Sequence, residues 1–146
     1  MASVRLAEDR FDPYEILSEH RHAGELATKT GAIDVFIGQM RDHNEGASVC
    51  ELYLEHYPGM TERALGEVLA EACQRWTLLD ALIVHRVGRV LPGETIVLVA
   101  VWASRRAAAF EACRFVVEAL KHTAPFWKQE TLNDGRRRWV ETNTPG

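Results

Sequence analysis

The sequence contains none of the short motifs that mark the common cofactor and nucleotide sites. It has no Gly-x-Gly-x-x-Gly fingerprint, no Walker loop, no Cys-x-x-Cys pair, no His-Glu-x-x-His motif and no Gly-x-Ser-x-Gly turn. Cofactor binding by those routes is therefore not supported. We predict neither a metal site nor a resident cofactor.

Cysteine and long apolar runs are also scarce. The three cysteines, Cys50, Cys73 and Cys113, are odd in number and lack metal-ligand spacing, which favours free thiols in a reducing compartment. The N-terminus lacks the apolar stretch of a signal peptide, and no run approaches the ~20 apolar residues of a membrane span. We therefore expect a cytoplasmic protein that does not contact the membrane.

The sequence does have the length and composition of one globular domain. Its 146 residues are 47% hydrophobic and 26% charged, which predicts a single domain over 1–146. The net charge of −4 is uneven: residues 1–100 contain 9 Lys and Arg against 16 Asp and Glu, whereas residues 101–146 contain 8 against 5. The acidic total disfavours a nucleic-acid partner, and the basic last third is where we expect an anion to bind.

Hydrophobic periodicity predicts strands that alternate with helices. Four segments are typical of strands: 32–40, 49–57, 81–87 and 95–103. Three are typical of helices: 11–19, 61–76 and 104–122. Because 95–103 is almost wholly apolar, we expect it at the centre of a sheet. The pattern is typical of an α/β or α+β sandwich, with helices packed on a sheet.

Local signals refine these elements. Asp12 and Ser104 are the predicted N-caps of the first and last helices, Phe110 is assigned to the buried stripe of the last helix, and Pro125 ends it. The polar stretch 41–48 predicts a loop. The tail predicts two short strand-like pieces, 128–131 and 138–141.

Two arginines open the long helix. Arg105 and Arg106 lie where free backbone N–H groups and the helix dipole favour an anion, and guanidinium groups match phosphate oxygens. The sequence predicts a phosphate or carboxylate site there. The alternative is that both arginines are solvated surface groups.

Two lysines flank a Pro-aromatic turn after that helix. Burial of Lys121 and Lys128 beside Phe126 and Trp127 would lower an ammonium pKa towards catalytic use, and a second cation acts in the same direction. The dipole at the helix C-terminus favours the charged form of Lys121. The alternative interpretation is a helix-terminal cation beside ordinary core aromatics.

Other polar groups have weaker signals. Arg41 follows the first predicted strand and is a third candidate cation, with a loop surface charge as the alternative. We interpret His85 and Arg86 as a hydrogen-bonded structural pair, and 136–138 as a solvated turn. The cysteines are interpreted as inert thiols rather than carriers of persulfide sulfur.

Helix geometry separates two of the predicted groups. Arg106 and Lys121 are 15 positions apart, or ~22 Å along a helix at ~1.5 Å per residue. One small ligand cannot contact both within one chain. Either the chain has two separate sites, or a symmetric dimer brings the helix start of one subunit beside the helix end of the other. We expect the dimer.

At these residues the chain resembles the large, catalytic subunit of molybdopterin synthase, the MoaE family. The similarity runs from about 31 to 140, in blocks at 31–41, 54–61, 84–88, 92–94, 105–112, 120–130 and 138–141. Its most specific part is Lys-x-x-x-Pro-Phe-Trp-Lys-x-Glu, which begins at Lys121 and ends at Glu130.

The resemblance implies an α/β hammerhead-type fold, with a mixed sheet packed on two long helices. It implies conversion of cyclic pyranopterin monophosphate into molybdopterin by insertion of two dithiolene sulfurs. The sulfur would come from the thiocarboxylate of a small ubiquitin-like partner ending in Gly-Gly, not from a cofactor. Two large subunits would form a central homodimer within a heterotetramer.

The resemblance also assigns residues. Lys121 and Lys128 match the essential lysines of the family. The positions that match substrate contacts or the substrate-binding segments are Gln39, Met40, Arg41, Arg105, Arg106, Gln129 and Glu130. Lys121 is expected to act as a general acid/base or a transient covalent partner. Lys128 is expected to hold the pterin or to lower the pKa of Lys121.

Two positions depart from the family pattern. Arg105 replaces a histidine, which keeps a hydrogen-bond donor but removes a group that could transfer protons. Gln39 replaces a frequent lysine and removes one cation.

Two competing functions predict different behaviour. A non-catalytic dimeric anion-binding or partner-docking module would bind the small subunit without sulfur transfer. An RNA-binding module would bind RNA with an affinity that depends steeply on salt concentration.

Overall fold

The computed structural model describes residues 2–123 and 125–140. Over this part the strands β1 to β9 are Ala2–Ala7, Ala32–Gln39, His43–Asn44, Ala47–His56, Asp80–Arg86, Gly88–Val90, Thr95–Ala103, Phe126–Leu132 and Arg137–Trp139. The helices α1 to α4 are Pro13–Glu19, Gly24–Lys29, Met60–Trp76 and Arg106–His122. In these ranges no helix has both the length and the apolar character needed to cross a membrane.

The first sheet has the strand order β1-β5-β7-β2. β1 runs parallel to β5, and the other neighbouring pairs are antiparallel. Every residue of β5 is buried, and β7 is buried except for Ile96, as expected for inner strands covered on both faces. The prediction that 95–103 lies at the centre of a sheet is therefore confirmed.

Both long helices cover one face of this sheet. α3 and α4 pack against each other and the strands, with Leu65, Leu69 and Val116 completely buried. Burial of each such side chain stabilises the fold by about 1.5–3 kcal/mol relative to exposure. On the opposite face α1 packs near Leu82 and Trp102. The two faces together form the layered core that the sequence predicted.

A second, antiparallel sheet has the order β3-β4-β8-β9, with β6 also paired to β4. The sequence prediction did not separate it from the first sheet. Its apolar side rests on a smaller core of Met40, Val49, Leu52, Leu54, Val90 and Leu132. β8 follows α4 in the chain and pairs antiparallel with β4. This pairing places β8 near the end of β2.

The termini of the helices test the capping predictions. Asp12 caps α1 as predicted, since its side chain accepts a hydrogen bond from the backbone N–H of Tyr14 at 2.9 Å. The prediction for Ser104 is wrong: Arg105 occupies the N-cap position of α4, and no side chain caps that helix. Phe110 is 61% exposed rather than buried, because α4 turns its neighbours Ala109 and Ala112 towards the core.

Short elements account for the remaining differences. The predicted loop 41–48 contains β3, joined to β4 by a turn with positive φ at both Glu45 and Gly46, the geometry of a tight hairpin. β1, α2 and β6 were not predicted, since they are short or lie at exposed edges. The two predicted tail strands are confirmed as β8 and β9, with ends that differ by one or two residues. Position 141 lies outside the described residues.

Candidate active site

An open pocket of about 390 Å³ lies where the end of β2 meets β8 and the C-terminal end of α4. We call it the lysine pocket. Its lining includes six residues predicted from the sequence: Gln39, Met40, Arg41, Lys121, Lys128 and Glu130. A smaller cavity of about 100 Å³ adjoins it, shares both lysines and is otherwise largely apolar.

The turn between α4 and β8 positions the two lysines. Lys121 lies in the last turn of α4 and Lys128 is the third residue of β8. The backbone oxygen of Pro125, between them, accepts a hydrogen bond from Oγ1 of Thr61 at 3.2 Å, and the same Oγ1 accepts the N–H of Tyr57 at 3.0 Å. Thr61 is completely buried, so the turn is fixed to the start of α3.

The two ammonium groups differ in their electrostatics. Desolvation and the charge of Lys121 together lower the pKa of Lys128 to about 8, against the opposing effect of Glu130. Desolvation also lowers the pKa of Lys121, against the attraction of Glu118. For Lys121, desolvation therefore outweighs the Glu118 carboxylate. With a pKa of about 8, Lys128 is mostly charged at pH 7, and about one-tenth of it is neutral there.

Glu130 is buried in a hydrogen-bonded network at the floor of the pocket. Its Oε1 accepts from Nε of Arg138 at 2.8 Å, and its Oε2 accepts from Nδ2 of Asn44 at 3.0 Å. Arg138 also donates to the backbone oxygen of Asn44 at 2.8 Å. These bonds join β3, β8 and β9. Glu130 therefore holds the second sheet together beneath the lysines, in addition to lining the pocket.

Hydrogen bonds to the loop at positions 93–94 fix the end of β2. The N–H of Met40 donates to the backbone oxygen of Glu94 at 2.9 Å, and the Met40 oxygen accepts from the N–H of Gly93 at 2.8 Å. Nε2 of Gln39 donates to the Gly93 oxygen at 3.3 Å. Arg41 follows directly and is exposed at the rim of the pocket. This rigid strand end therefore presents Arg41 to a ligand in the pocket.

Three predicted site residues lie away from the lysine pocket. α4 is continuous from Arg106 to His122, so the arginines at its start are ~22 Å from Lys121 along the axis. Arg105 and Arg106 are both exposed. Gln129 lies between two pocket residues of β8, and strand alternation turns it to the opposite face of the sheet.

His85 is a pocket neighbour that the sequence reasoning treated as structural only. Its Nδ1 is 2.7 Å from the backbone oxygen of Arg86, which confirms the predicted pairing. Its ring also stacks on Phe126, with centroids 4.0 Å apart, and it lines the smaller cavity with both lysines. Desolvation lowers the pKa of His85 to about 4. The ring is therefore neutral in the working pH range, and no local motif signals its position.

Arg138 and the cysteines complete the comparison with the sequence prediction. The interpretation of 136–138 as a solvated turn is wrong for Arg138, which is half-buried on Glu130. All three cysteines are free. Burial raises the pKa of Cys113 to about 12 and also raises that of partly buried Cys73, as expected of thiols with little thiolate at neutral pH. Cys50 is exposed.

Comparison with known proteins places this arrangement in a family. The family model described as MoaE protein matches residues 6–123. The molybdopterin synthase catalytic subunit of Pseudomonas aeruginosa is 49% identical over 139 residues, covering 95% of this chain and 90% of that protein. The solved molybdopterin biosynthesis MoaE protein from Burkholderia ambifaria MC40-6 has a TM-score of 0.80 and 46% identity, covering 100% of this chain and 93% of that one.

A more distant structure shares the fold. It is a protein-protein complex of subunits 1 and 2 of molybdopterin-converting factor from Helicobacter pylori 26695, with a TM-score of 0.76 and 22% identity over 97% of this chain and 92% of that one. The predicted α+β fold is confirmed by these likenesses. The family model and the alignment with the Pseudomonas relative both cover most of this chain, and the chain therefore belongs to the MoaE family.

Proposed function

We propose that the lysine pocket is the catalytic site at which this chain inserts two dithiolene sulfurs into cyclic pyranopterin monophosphate. Its family makes the chain a molybdopterin synthase catalytic subunit, a sulfurtransferase of molybdenum cofactor biosynthesis. The observation that carries the assignment of the site is the meeting of Lys121, Lys128 and Arg41 around one open pocket.

The pKa shifts of the two lysines support different roles for them. Lys128 loses its proton first, because desolvation and the charge of Lys121 act together on it. A neutral Lys128 can accept the proton released when water or the substrate reacts. Lys121 then remains the cation that offsets the negative charge of a thiocarboxylate or phosphate. This reverses the roles expected from the resemblance, in which Lys121 was the acid/base.

Phosphate binding is assigned to the arginines. Arg41 at the pocket rim provides a guanidinium fork for phosphate oxygens. Arg105 and Arg106 would complete the site from a second copy of the chain, since ~22 Å of α4 separates them from the pocket of their own copy. Phe110, one turn after them and 61% exposed, provides an apolar contact for that copy. The proposed assembly is thus a homodimer within a heterotetramer.

The sulfur carrier is a small ubiquitin-like subunit whose Gly-Gly tail enters beside the lysines. The adjoining cavity of about 100 Å³ is narrow and walled by Val97, Val117 and Leu120. A tail without side chains fits such a space. In each transfer the carrier C–S bond breaks and a water oxygen replaces the sulfur on the carrier carboxylate. The sulfur forms a bond to a substrate carbon as the C–O bond of that carbon breaks, and the oxygen leaves as water or stays on the opened phosphate. Free thiols on this chain suit a reducing compartment such as the cytoplasm.

Reconstitution tests the function directly. The purified chain is incubated with thiocarboxylated small subunit and cyclic pyranopterin monophosphate, and molybdopterin is measured. We expect dithiolene formation that requires all three components. Small-subunit binding without sulfur transfer would instead establish the non-catalytic docking module, and would overturn the proposal for the pocket.

A further inference from the structure

A second cluster of polar side chains lies at the other end of the first sheet. His20 is the C-cap residue that follows α1, His22 lies two positions later, and Asp80 is the first residue of β5. The Nε2 atoms of His20 and His22 are 2.8 and 2.7 Å from the same oxygen, Oδ2 of Asp80. We call this the His-His-Asp cluster. Both rings contact Trp102, with centroids 5.1 and 5.0 Å away.

The cluster is separate from the lysine pocket. Trp102 lies near the end of β7, whereas Ile96, which lines the pocket, lies near its start. Trp102 and Ile96 are six positions apart, or about 20 Å at about 3.3 Å per residue. The cluster is therefore distinct from the lysine pocket of its own copy.

The three side chains form a metal-ligand set. Their nearest donor atoms, one from each residue, all lie within 4.8 Å of one another. Two imidazole nitrogens and one carboxylate oxygen are ligands that Zn²⁺ and similar divalent transition metals accept. Donor atoms around a tetrahedral Zn²⁺ lie about 3.3 Å apart. The observed hydrogen-bond distances therefore need to lengthen by only about 0.5 Å to admit an ion.

The carboxylate is already oriented towards the histidines. Oδ1 of Asp80 accepts the N–H of Ala81 at 2.8 Å, which leaves Oδ2 facing the two imidazoles. Nδ1 of His22 is buried and has no hydrogen-bond partner among the residues the structure describes. Because the Asp80 carboxylate is an acceptor, Nε2 of His22 donates to it when no ion is bound. An ion on Nε2 would take the place of that proton, and the ring N–H would then lie on Nδ1.

Solvent can reach the cluster from one side. The Asp80 side chain is 1% exposed, but those of His22 and His20 are 12% and 26% exposed. An ion can enter past His20, and water can fill the fourth position, as at zinc sites with three protein ligands. Within 2–123 and 125–140 no group bonds to Nδ1 of His22, which predicts weaker binding than at sites with a complete outer shell.

We propose that the His-His-Asp cluster binds one divalent transition-metal ion of the Zn²⁺ class. The ion would replace the two imidazole protons that now bond to Asp80 and would join the segment after α1 to β5. Because the histidines lie 60 and 58 positions from Asp80 in the sequence, short-range ligand spacing could not have predicted the site.

Untagged protein, stripped with EDTA, is titrated with Co²⁺ and then with Zn²⁺. We expect saturable uptake of about one Co²⁺ per chain, visible d–d absorption typical of low coordination number, and loss of that absorption when Zn²⁺ is added. Saturating Zn²⁺ should raise the Tm by about 5 °C, because the ion binds the native state alone. EDTA should reverse the shift.

Variants locate the ion. His20→Gln and His22→Gln should lose both the absorption and the Tm shift, while the exposed His122→Gln, outside the cluster, should keep them. Circular dichroism identifies any variant that fails to fold. If no variant folds, the Co²⁺ titration of the wild type still shows whether the chain binds a metal ion. Absence of saturable binding by the wild type overturns the proposal, as does equal binding by folded His22→Gln.

Discussion

The charge of Lys121 acts on Lys128 across the turn that joins α4 to β8, and it adds to desolvation in lowering the pKa of Lys128 to about 8. Seven positions of sequence and one change of secondary structure separate the two residues. The fold explains this relationship, because the end of α4 places Lys121 at the pocket and β8 places Lys128 there.

Molybdopterin formation should rise with pH and level off above a value of about 8. The reason is that Lys128 must lose its proton to act as a base, and its pKa is about 8. The neighbouring His85 does not account for this limb, since its pKa is about 4. The measurement is single-turnover rate against pH. A rate that falls between pH 7 and 8 would contradict the role of Lys128.

Removing the Lys121 charge should raise the pKa of Lys128. In Lys121→Gln the repulsion that favours neutral Lys128 is lost, while desolvation remains. NMR titration of the labelled lysine side chains measures the change. Lys29→Gln, which removes an exposed lysine paired with Glu25, is the matched control and should leave Lys128 unchanged. An unchanged pKa in Lys121→Gln would disprove the coupling.

Lys128→Met should stabilise the protein at neutral pH. The native pKa of about 8 lies below the ordinary value of 10.5, so the native state disfavours the charged form that the unfolded chain prefers. This cost is full below about 8 and disappears as pH approaches 10.5. The free energy of unfolding should therefore increase by about 1–3 kcal/mol at pH 7.

Urea unfolding of Lys128→Met at pH 7 and pH 10 measures this effect. The gain should be smaller at pH 10, where wild-type Lys128 is neutral in the native state. Lys29→Met provides the exposed control and should change stability little at either pH. A destabilised Lys128→Met at pH 7 would show that the ammonium is held by favourable contacts that outweigh its desolvation.

Lys121→Ala should abolish most sulfur transfer and leave small-subunit binding intact. Loss of a positioned charge that stabilises the reacting groups lowers the rate by about 10²–10³, whereas one exposed side chain at a helix end contributes little to a protein interface. Molybdopterin formation and calorimetric titration with the carrier provide the two readouts. Lys29→Ala controls for loss of a lysine, and wild-type turnover by Lys121→Ala would refute its role.

Two arginines on the same hairpin should differ in their effect on stability. Arg138→Ala removes one partner of buried Glu130 and should cost about 1.5–3 kcal/mol. Arg136→Ala breaks an exposed pair with Asp134 and should cost less than about 1 kcal/mol. Urea unfolding compares the variants. Equal losses would show that the Glu130 network does not support the second sheet.

Hybrid dimers test the proposed sharing of the site. A chain with Arg106→Ala and a chain with Lys121→Ala are each expected to be inactive as homodimers. Their hybrid contains one pocket with both wild-type residues, so it should recover up to about half of the wild-type activity. No recovery in hybrids verified by mass would reject a site shared between copies.

The sequence was sufficient for elements with strong periodicity. The apolar run of β7 and the stripes of α3 and α4 predicted those elements closely, because burial of a strand or a helix face requires a regular hydrophobic pattern. The Pro-aromatic segment from Lys121 to Glu130 predicted both pocket lysines. The helical pattern wrongly predicted that Phe110 is buried, since an exposed aromatic residue on an amphipathic helix has the same local sequence pattern as a buried one.

The candidate site was only partly predictable for the same physical reason. Arg41, Lys121 and Lys128 have local signals, whereas the network of Asn44, Glu130 and Arg138 depends on pairing between distant strands. No spacing in the sequence shows that an arginine in a basic turn will bind a buried carboxylate.

The sequence by itself determined the class of fold, the main elements and the charged groups available for an anionic substrate. Tertiary structure alone decided which groups meet. It left Arg105 and Arg106 at the far end of α4, placed neutral His85 beside the lysines and joined two histidines to Asp80. The reason is that pKa values and ligand sets depend on burial and distance, which are set by packing between segments far apart in the chain.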